Sequence, residues 1–389
     1  MEPKKVRVAI NGFGRIGRQA FKACMGDSED SRMRLSPRIN IDEIEVVAIN
    51  DLTDPRVYAH LLKYDSVYGR YNKEILVETN GEVVDWEGHT GGHTEEISTN
   101  LSASDEHYLI VNGHHVRALS ERDPADLPWK GLDVDVVIES TGIFTEYAKA
   151  KAHLKAGAKR VIISAPAEGE ERKEGRTLVF GTEETVTDMG EFEIVSNASC
   201  TTNCISPVIQ ALHARFGVEK ALMTTVHAYT ASQSLVDAPD PKDLRRGRGA
   251  AVNIIPSTTG AATATTHVIS ELKDKFDGIA LRVPVECGSV SDITAILKRD
   301  VTVDEINQMF VEMSENPLFK DILVASREPL VSTDIIGNPA SAIVDLPFTR
   351  VVGGNLVKVM AWYDNEWGYS NRLVEMAVET GKRIENERA

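Results

Sequence analysis

The feature that most constrains the fold is a glycine-rich turn near the N-terminus. An apolar segment at residues 6–10 leads into GFGRIG, which contains Gly12, Gly14 and Gly17, and a helical pattern follows. In a G-x-G-x-x-G turn, the first glycine permits a tight bend and the second lets a pyrophosphate approach the backbone. The third allows the helix to pack closely on the strand. The pattern therefore predicts the first β–α unit of a dinucleotide-binding fold.

An acidic residue after the second predicted strand bears on the choice of cofactor. Residues 44–49 form an apolar strand that ends in Asn50 and Asp51. A carboxylate there can accept hydrogen bonds from the adenosine ribose and repel a 2′-phosphate, which favours NAD over NADP. The alternative is that Asp51 simply caps a turn. Residues 26–42 lengthen the usual spacing to this acid, and we interpret them as an inserted loop.

Two further apolar segments complete the predicted sheet. Residues 134–139 and 160–164 are apolar enough for buried parallel strands, with a crossover helix predicted between them. Thr141, Gly142 and Ser164 follow or end these strands, at the carboxyl edge where ligands bind in open α/β sheets. We predict the α/β class, with a Rossmann-type doubly wound parallel sheet domain and an α+β catalytic domain.

Length and charge narrow the functional classes. A chain of 389 residues usually forms two domains, and its net charge of −16 repels nucleic acid and anionic membranes. No apolar run approaches the roughly 18 residues that span a bilayer, so we expect no membrane partner and no nucleic-acid partner. The four cysteines are too few for a disulfide framework, which suits a reducing cytoplasm.

A cysteine at the predicted start of a helix is the strongest chemical signal in the second half. Cys200 lies in SCTTNC at 199–204, and an apolar helical pattern follows it. Unpaired N–H groups and the positive end of the helix dipole favour a thiolate, the reactive form of the side chain. The same N–H groups could hold an oxyanion or a phosphate. A small, inert core cysteine is the alternative.

Several polar groups downstream could serve this thiol. His227 ends a predicted strand, and an imidazole beside Cys200 would stabilise the thiolate and act as acid and base; a structural histidine is the alternative. Arg282 requires a phosphate, a carboxylate or an internal salt bridge as its partner. RRGRG at 245–249 and STTGAA at 257–262 also suit anions. With a nucleotide fold, these groups fit oxidation of an aldehyde through a cysteinyl thioester.

These motifs resemble the phosphorylating glyceraldehyde-3-phosphate dehydrogenases over nearly the whole chain. The family's catalytic signature corresponds to ASCTTNC at 198–204 with HAYT at 227–230. Further matches are NGFGRIGR at 11–18, KYDSV at 63–67, SERDP at 120–124 and WYDNEWGYS at 362–370. The resemblance implies NAD-dependent oxidation of D-glyceraldehyde 3-phosphate with inorganic phosphate to 1,3-bisphosphoglycerate, in glycolysis or gluconeogenesis. It also implies an NAD-binding domain at 1–199 with 365–389 and a catalytic domain at 200–364.

The same resemblance assigns roles to single residues. It makes Cys200 the nucleophile and His227 the acid and base that activates it, and it leaves Cys204 without a catalytic role. Thr230 and Arg282 would bind the substrate's phosphate, and the inorganic phosphate would be bound near Arg282 by Ser199, Thr201, Thr259 and Gly260. NAD would be bound by Asn11, Gly12, Gly14, Arg15, Ile16, Gly17, Asp51, Arg122, Thr141, Gly142, Ser164 and Asn365.

Two expectations concern assembly and insertions. The resemblance implies a cytoplasmic homotetramer, in which residues 236–248 approach a neighbouring subunit's cofactor. Residues 86–107 look longer than the family needs and carry His89, His93 and His107. Gly91 and Gly92 argue against a helix that would bring two of these imidazoles onto one metal. We therefore predict a surface loop and no metal site.

Two rival interpretations stay open. An erythrose-4-phosphate dehydrogenase would share the cysteine signature and the cofactor fold, although residues 227–230 and 257–262 favour the triose enzyme. VECGS at 285–289 departs from the commoner Thr-Pro-rich family sequence, which leaves the geometry of the substrate phosphate open. A non-catalytic nucleotide-binding redox sensor would use Cys200 and Cys204 without turnover, but the full set of anion-binding residues argues against it.

Overall fold

A computed structural model describes residues 5–26, 32–84, 105–241 and 243–386 of the chain. It divides into two compact units. The first comprises Met1–Arg176, Gly190–Asn197 and Leu373–Ala389, and the second comprises Thr177–Met189 and Ala198–Arg372. This division differs from the predicted one chiefly at residues 177–189 and 365–372, which belong to the second unit. Val179 explains part of the difference, because it is fully buried in the second unit's core.

The first unit contains a large sheet with helices in its connections. Its strands are β1 (Val6–Asn11), β2 (Ile44–Asn50), β3 (Tyr64–Asp65), β4 (Gly69–Arg70), β5 (Ile75–Thr79), β6 (Glu82–Val84), β7 (His107–Val111), β8 (His114–Leu119), β9 (Val136–Glu139), β10 (Arg160–Ile163), β11 (Arg176–Thr177, at the boundary of the units) and β12 (Ile194–Ser196). Its helices are α1 (Arg15–Cys24), α2 (Pro55–Lys63) and α3 (Tyr147–Lys155).

The strand order of the large sheet is β11-β12-β10-β9-β1-β2-β8-β7-β5-β6, and β3 pairs with β4 in a separate two-stranded sheet. Strands from β12 to β8 are paired in parallel, and β7, β5 and β6 extend the sheet in antiparallel fashion. The chain proceeds from β1 to β2 on one side and from β9 to β10 on the other, so the order reverses between β1 and β9. This switch point is where open α/β sheets bind ligands. The predicted Rossmann-type fold is confirmed.

The second unit is built on a mixed sheet that packs against helices. Its elements are α4 (Glu183–Asp188), α5 (Cys200–Phe216), β13 (Val218–Ala228), β14 (Ile255–Thr258), α6 (Ala261–Val268), β15 (Phe276–Val283), β16 (Ser289–Leu297), α7 (Val303–Ser314), β17 (Leu323–Ser326), β18 (Ala342–Asp345), β19 (Arg350–Val352) and β20 (Leu356–Tyr363). The strand order is β14-β15-β13-β16-β20-β18-β17, with β19 paired to β20. Helix α8 (Trp367–Asn386) begins in this unit and ends in the first.

Helix α5 lies in the core of the second unit. The apolar residues that predicted it are all buried: Ile205, Val208, Ile209, Leu212 and Phe216. They share one hydrophobic cluster with residues of β13, β16 and β20. Because α5 is enclosed on most of its surface, its first turn is held rigidly relative to the sheet.

The predicted insertions need one correction. His107 does not lie in a loop: it begins β7, is buried, and its Nδ1 lies 2.9 Å from Thr79 Oγ1. Residues 85–104, with His89 and His93, lie outside the described residues. In the other predicted insertion, at residues 26–42, Met33 and Ile39 are buried. This part of the segment therefore contributes apolar surface to the core.

Candidate active site

Cys200 is the first residue of α5, and its neighbours fix the turn that presents it. Ser199 caps the helix, because its Oγ accepts a hydrogen bond from the Thr202 N–H at 3.0 Å. Ala198 has a φ of 53°, a left-handed conformation that costs a non-glycine residue about 1–3 kcal/mol. The Tyr369 hydroxyl donates to the Ala198 carbonyl at 2.9 Å and holds this turn. The cap leaves Cys200 at the positive end of the helix dipole.

His227 lies beside this thiol. Its Nε2 is 3.4 Å from the Cys200 Sγ, a distance at which a proton can pass directly between the two atoms. His227 lies near the end of β13 and is only 3 % exposed, whereas Cys200 is partly exposed. The structure therefore brings together the two residues that the sequence proposed as nucleophile and base, although 27 residues separate them.

Arg282 contacts the opposite side of the same imidazole. β13 and β15 pair in parallel with His227 opposite Arg282, so the register of the sheet sets these two side chains next to each other. His227 Nδ1 donates its proton to the Ala228 carbonyl at 2.6 Å, which leaves Nε2 unprotonated on the side of Cys200. Arg282 Nη1 lies 2.7 Å from the same Nδ1 and donates to the Ala228 carbonyl at 3.1 Å. Within the described ranges, no carboxylate forms an ion pair with Arg282. Its charge is therefore available to an anion.

The electrostatics of the site follow from burial and from this arginine. Burial is the main cause, and the Arg282 charge the second, of a His227 pKa lowered to about 3. Burial also raises the pKa of the Cys200 thiol, while the Arg282 charge and the Thr201 amide oppose the increase. Both shifts favour the neutral forms, thiol and imidazole. The thiolate therefore forms together with the imidazolium, as one coupled proton transfer from Sγ to Nε2.

A buried tyrosine, which had no separate role in the predictions from sequence, contacts the residues that surround Cys200 and His227. The Tyr363 hydroxyl lies 2.9 Å from Thr201 Oγ1 and 2.8 Å from Thr225 Oγ1. Its ring meets the His227 imidazole edge to face at 6.0 Å. Burial raises the pKa of Tyr363 well above its usual value, so the hydroxyl stays protonated. Its role is to hold the first turn of α5 against β13.

A second arginine lies close to the predicted substrate-phosphate residues. Thr230 Oγ1 lies 2.9 Å from Ser232 Oγ, to which Arg246 Nη2 donates at 2.7 Å. Burial lowers the pKa of Arg282, and the charge of the nearby Arg246 lowers it further. In the sequence, Arg246 is only one of several basic residues in a loop. The contact through Ser232 distinguishes it from its neighbours.

The other predicted phosphate residues lie at two helix starts. Ser199 and Thr201 belong to the first turn of α5. Thr259 and Gly260 connect β14 to α6, where Thr259 Oγ1 accepts a hydrogen bond from the Ala261 N–H at 3.2 Å. Backbone N–H groups at such starts are suited to anions.

In the first unit, the glycine turn has the geometry that its sequence predicted. A Cβ on Gly12 would lie 2.5 Å from the Thr141 backbone nitrogen, and one on Gly17 would lie 2.1 Å from the Gly12 carbonyl oxygen. By contrast, a Cβ on Gly14 would meet none of the described residues within 4 Å apart from its chain neighbours. The first and third glycines are thus required by the protein itself. The second leaves open backbone for a pyrophosphate, so this turn fits a dinucleotide.

Residues around this turn include the predicted contacts to the rest of NAD. Asp51 accepts hydrogen bonds from the Phe13 N–H at 2.8 Å and the Thr53 N–H at 3.0 Å, and carboxylate lone pairs remain for ribose hydroxyls. Arg15 is tied by its Nη1 to Asp65 at 2.9 Å. The remaining predicted residues of this unit lie in or after strand ends or at the start of α1: Asn11, Ile16, Arg122, Thr141, Gly142 and Ser164.

Asn365, the predicted cofactor residue of the second unit, has its amide orientation fixed by neighbours. Its Oδ1 accepts the Gly288 N–H at 3.1 Å, and a backbone N–H is always a donor. Ser289 Oγ accepts the Ala228 N–H at 3.1 Å and donates to the same Oδ1 at 2.9 Å. The Asn365 NH₂ group is therefore turned away from Ser289 and is the group offered to a ligand. Ser289 was not identified from the sequence.

The described residues also bear on metal sites and on membrane-spanning helices. In that part of the chain, no three His, Cys, Asp or Glu side chains converge as a metal site would require. Among its helices, none is long and apolar enough to cross a membrane.

Comparison with known proteins identifies what this chain is similar to. Residues 6–90 and 89–147 match the model of the glyceraldehyde 3-phosphate dehydrogenase NAD binding domain, and residues 199–365 match that of the C-terminal domain. A glyceraldehyde-3-phosphate dehydrogenase of Streptomyces coelicolor is 46 % identical over 379 residues, which cover 97 % of this chain and 99 % of that protein. Relatives of the same name from Mycobacterium leprae and Bacillus subtilis are 46 % and 45 % identical, with the same coverage.

Proposed function

The chain belongs to the glyceraldehyde-3-phosphate dehydrogenase family, and from this membership we propose that it oxidises D-glyceraldehyde 3-phosphate to 1,3-bisphosphoglycerate with NAD and inorganic phosphate. The observation that carries the proposal is the contact of 3.4 Å between Cys200 Sγ and His227 Nε2, with Arg282 on the far side of the imidazole. A nucleophile, a base and a cation that no described carboxylate neutralises, all in one place, suit a phosphorylated aldehyde.

The first half of the reaction uses Cys200 and His227. His227 Nε2 takes the thiol proton as Sγ adds to the aldehyde carbon, and the resulting imidazolium returns a proton to the new oxyanion, giving a hemithioacetal. NAD, when bound, accepts the hydride that leaves this carbon. His227 removes the hydroxyl proton as the hydride departs, and the carbon becomes an acyl thioester on Cys200.

The second half releases the product. An oxygen of inorganic phosphate attacks the thioester carbon, the C–S bond breaks, and His227 protonates the departing sulfur. Overall, the reaction converts the aldehyde, phosphate and NAD⁺ into the acyl phosphate, NADH and one proton. The N–H groups at the start of α5 are suited to stabilise the negative oxygen of each tetrahedral intermediate.

The two phosphates are proposed to occupy the anion-binding groups around this centre. Thr230 and Arg282 would bind the substrate phosphate, with Arg246 close by through Ser232. Inorganic phosphate would be bound near Arg282 by Ser199, Thr201, Thr259 and Gly260. Both assignments rest on the affinity of helix starts and of arginine side chains for anions.

Assembly and location complete the proposal. We expect a homotetramer, because several large apolar side chains between residues 235 and 254 are exposed in the single chain: Leu235, Val236, Leu244, Val252 and Ile254. We also expect the protein to be located in the cytoplasm, because all four cysteines are free thiols. Light scattering of the purified protein tests the oligomeric state, and cell fractionation tests the location.

Turnover with defined substrates tests the proposed activity. Purified protein with NAD and phosphate should reduce NAD on addition of D-glyceraldehyde 3-phosphate and release an acid-labile acyl phosphate. Turnover of erythrose 4-phosphate alone would overturn the choice of substrate. NAD binding without turnover of either aldehyde would favour a redox-sensing role instead.

A further inference from the structure

A buried carboxylate lies at the switch point of the nucleotide-binding sheet. Glu139 is the last residue of β9, is only 2 % exposed, and pairs in register with Asn11 at the end of β1. It is not among the residues expected to touch NAD. Taking a carboxylate out of water is strongly unfavourable unless hydrogen bonds replace the lost hydration. The neighbours of Glu139 must therefore be arranged to supply them.

All four acceptor positions of this carboxylate are used. Oε2 accepts from Asn11 Nδ2 at 2.5 Å and lies 3.0 Å from His153 Nε2. Oε1 accepts from the Thr141 backbone N–H at 2.8 Å and from the Thr141 hydroxyl. A carboxylate has about four lone-pair sites, so the set is complete. One side chain thus binds the last residue of β1 and the loop after β9, which both include predicted NAD contacts.

The proton on His153 is placed by Trp129. The indole N–H can only donate, and Trp129 Nε1 lies 3.0 Å from His153 Nδ1. Nδ1 is therefore the acceptor, and the imidazole carries its proton on Nε2, directed at Glu139. Trp129 and His153 are both fully buried. A second proton on this ring would have to replace the indole hydrogen bond, so the neutral tautomer is the one that fits.

The orientation of Asn11 is fixed from the other side. The Glu121 backbone N–H donates to Asn50 Oδ1 at 2.7 Å, so the Asn50 amide can only present its NH₂ to Asn11. Asn50 Nδ2 donates to Asn11 Oδ1 at 2.7 Å, which leaves the Asn11 NH₂ to donate to Glu139. Every hydrogen bond in the chain from Glu121 to Trp129 therefore has a defined direction.

We propose that Glu139 is a positioning residue for NAD, which holds Asn11 and Thr141 in the conformation that the cofactor requires. The inference rests on the proposed cofactor site, and it adds residues that never touch the ligand. The buried charge is tolerated only when all its donors are in place, so it selects one arrangement of the two loops at the switch point. The network therefore preorganises the loops before NAD binds.

The variant Glu139→Gln tests this role by titration with two ligands. Glutamine can keep its oxygen toward Asn11 and His153, but its NH₂ then faces the Thr141 donors. NAD should bind about tenfold more weakly, while AMP, which reaches only the Asp51 side, should change less than twofold. Glu45→Gln, an exposed carboxylate on β2, is the matched control. Unchanged NAD affinity, or equal weakening of NAD and AMP, would overturn the proposal.

A second variant decides the matter if Glu139→Gln does not fold. Trp129→Phe keeps the aromatic packing but removes the N–H that fixes the His153 tautomer, so NAD should bind about two- to fivefold more weakly with AMP unaffected. Unchanged NAD affinity would contradict the inference. These are binding measurements, so a wild-type protein that binds NAD without oxidising the aldehyde overturns the proposed reaction alone. Failure of the wild-type protein to bind NAD overturns both.

Discussion

The His227 imidazole and the Arg282 guanidinium lie in contact, with Nδ1 and Nη1 2.7 Å apart, because the two residues are register partners on parallel strands. A cation beside a base lowers the base's affinity for protons, and His227 shows this effect. The same cation stabilises the Cys200 thiolate. One residue thus acts on both partners of the proton transfer, and its charge also suits a phosphate.

The two cysteines of α5 should behave differently on substitution. Cys200→Ser should lower kcat/KM by on the order of a thousandfold or more, because the hydroxyl is a far weaker nucleophile than the thiolate, while NAD affinity is retained. Cys204→Ser is the control, since Cys204 is fully buried with its Sγ directed at the Ala361 carbonyl. Steady-state kinetics and NAD titration measure both. Substantial activity in Cys200→Ser would contradict the mechanism.

The alkylation of Cys200 should depend on pH in a way that reports the Arg282 charge. Only the thiolate reacts, so the rate with iodoacetamide rises with pH through the pKa of the thiol. Burial raises this pKa and the Arg282 charge lowers it. Arg282→Gln should therefore move the inflection to higher pH, and Arg282→Lys, which keeps the charge, should move it less. An unchanged or lower inflection in Arg282→Gln would rule out this electrostatic role.

Two glycines of the nucleotide turn should separate ligand binding from folding. Gly14 has a φ of −68°, and a Cβ there would lie clear of the described residues other than its chain neighbours, so Gly14→Ala should leave the melting temperature unchanged. The added methyl group occupies the space that a pyrophosphate needs, so NAD should bind at least tenfold more weakly. Gly17→Ala should instead lower the melting temperature by several degrees, because its Cβ would overlap the Gly12 carbonyl. Equal behaviour of the two variants would contradict this separation.

Ser289 should affect NAD through the amide that it orients. Ser289→Ala removes the hydroxyl that donates to Asn365 Oδ1 and accepts from the Ala228 N–H. A lost hydrogen bond of about 1–1.5 kcal/mol corresponds to roughly a five- to tenfold weaker affinity for NAD. The control is Ser291→Ala, a buried serine two residues further along β16. The role is disproved if both alanine variants bind NAD with the same affinity.

Low pH should lower the stability of the first unit, because Asp65 becomes protonated. Burial alone would raise the pKa of Asp65, but Lys22 and Arg15 outweigh it and lower the pKa to about 2. Because this lies below the unfolded value of about 3.9, the stabilisation is fully present above about pH 5 and is lost as pH falls through 2. The difference in melting temperature between the wild type and Asp65→Asn should therefore narrow as pH falls from 5 to 2. Asp126→Asn, at an exposed carboxylate, should show no difference at any pH.

The elements predicted from sequence are those that depend on contiguous residues. The glycine turn required only the spacing of Gly12, Gly14 and Gly17, and helix α5 required only an apolar pattern after Cys200. The family signature likewise lies in short, contiguous motifs. His107 shows the limit of such reasoning, because the residues before it are polar, yet the pairing of β7 with β5 buries it beside Thr79.

The sequence by itself determined the nucleotide fold and the family, and it predicted Cys200 as the nucleophile, because each of these depends on local patterns. Only the tertiary structure decided which side chains meet. The register of β13 with β15 places Arg282 against His227, and Tyr363 and Ser289 reach the site from strands that lie far along the chain. The hydrogen bonds around Glu139 also join distant segments. These contacts arise from the pairing of whole strands and the packing of the core, so no local pattern specifies them.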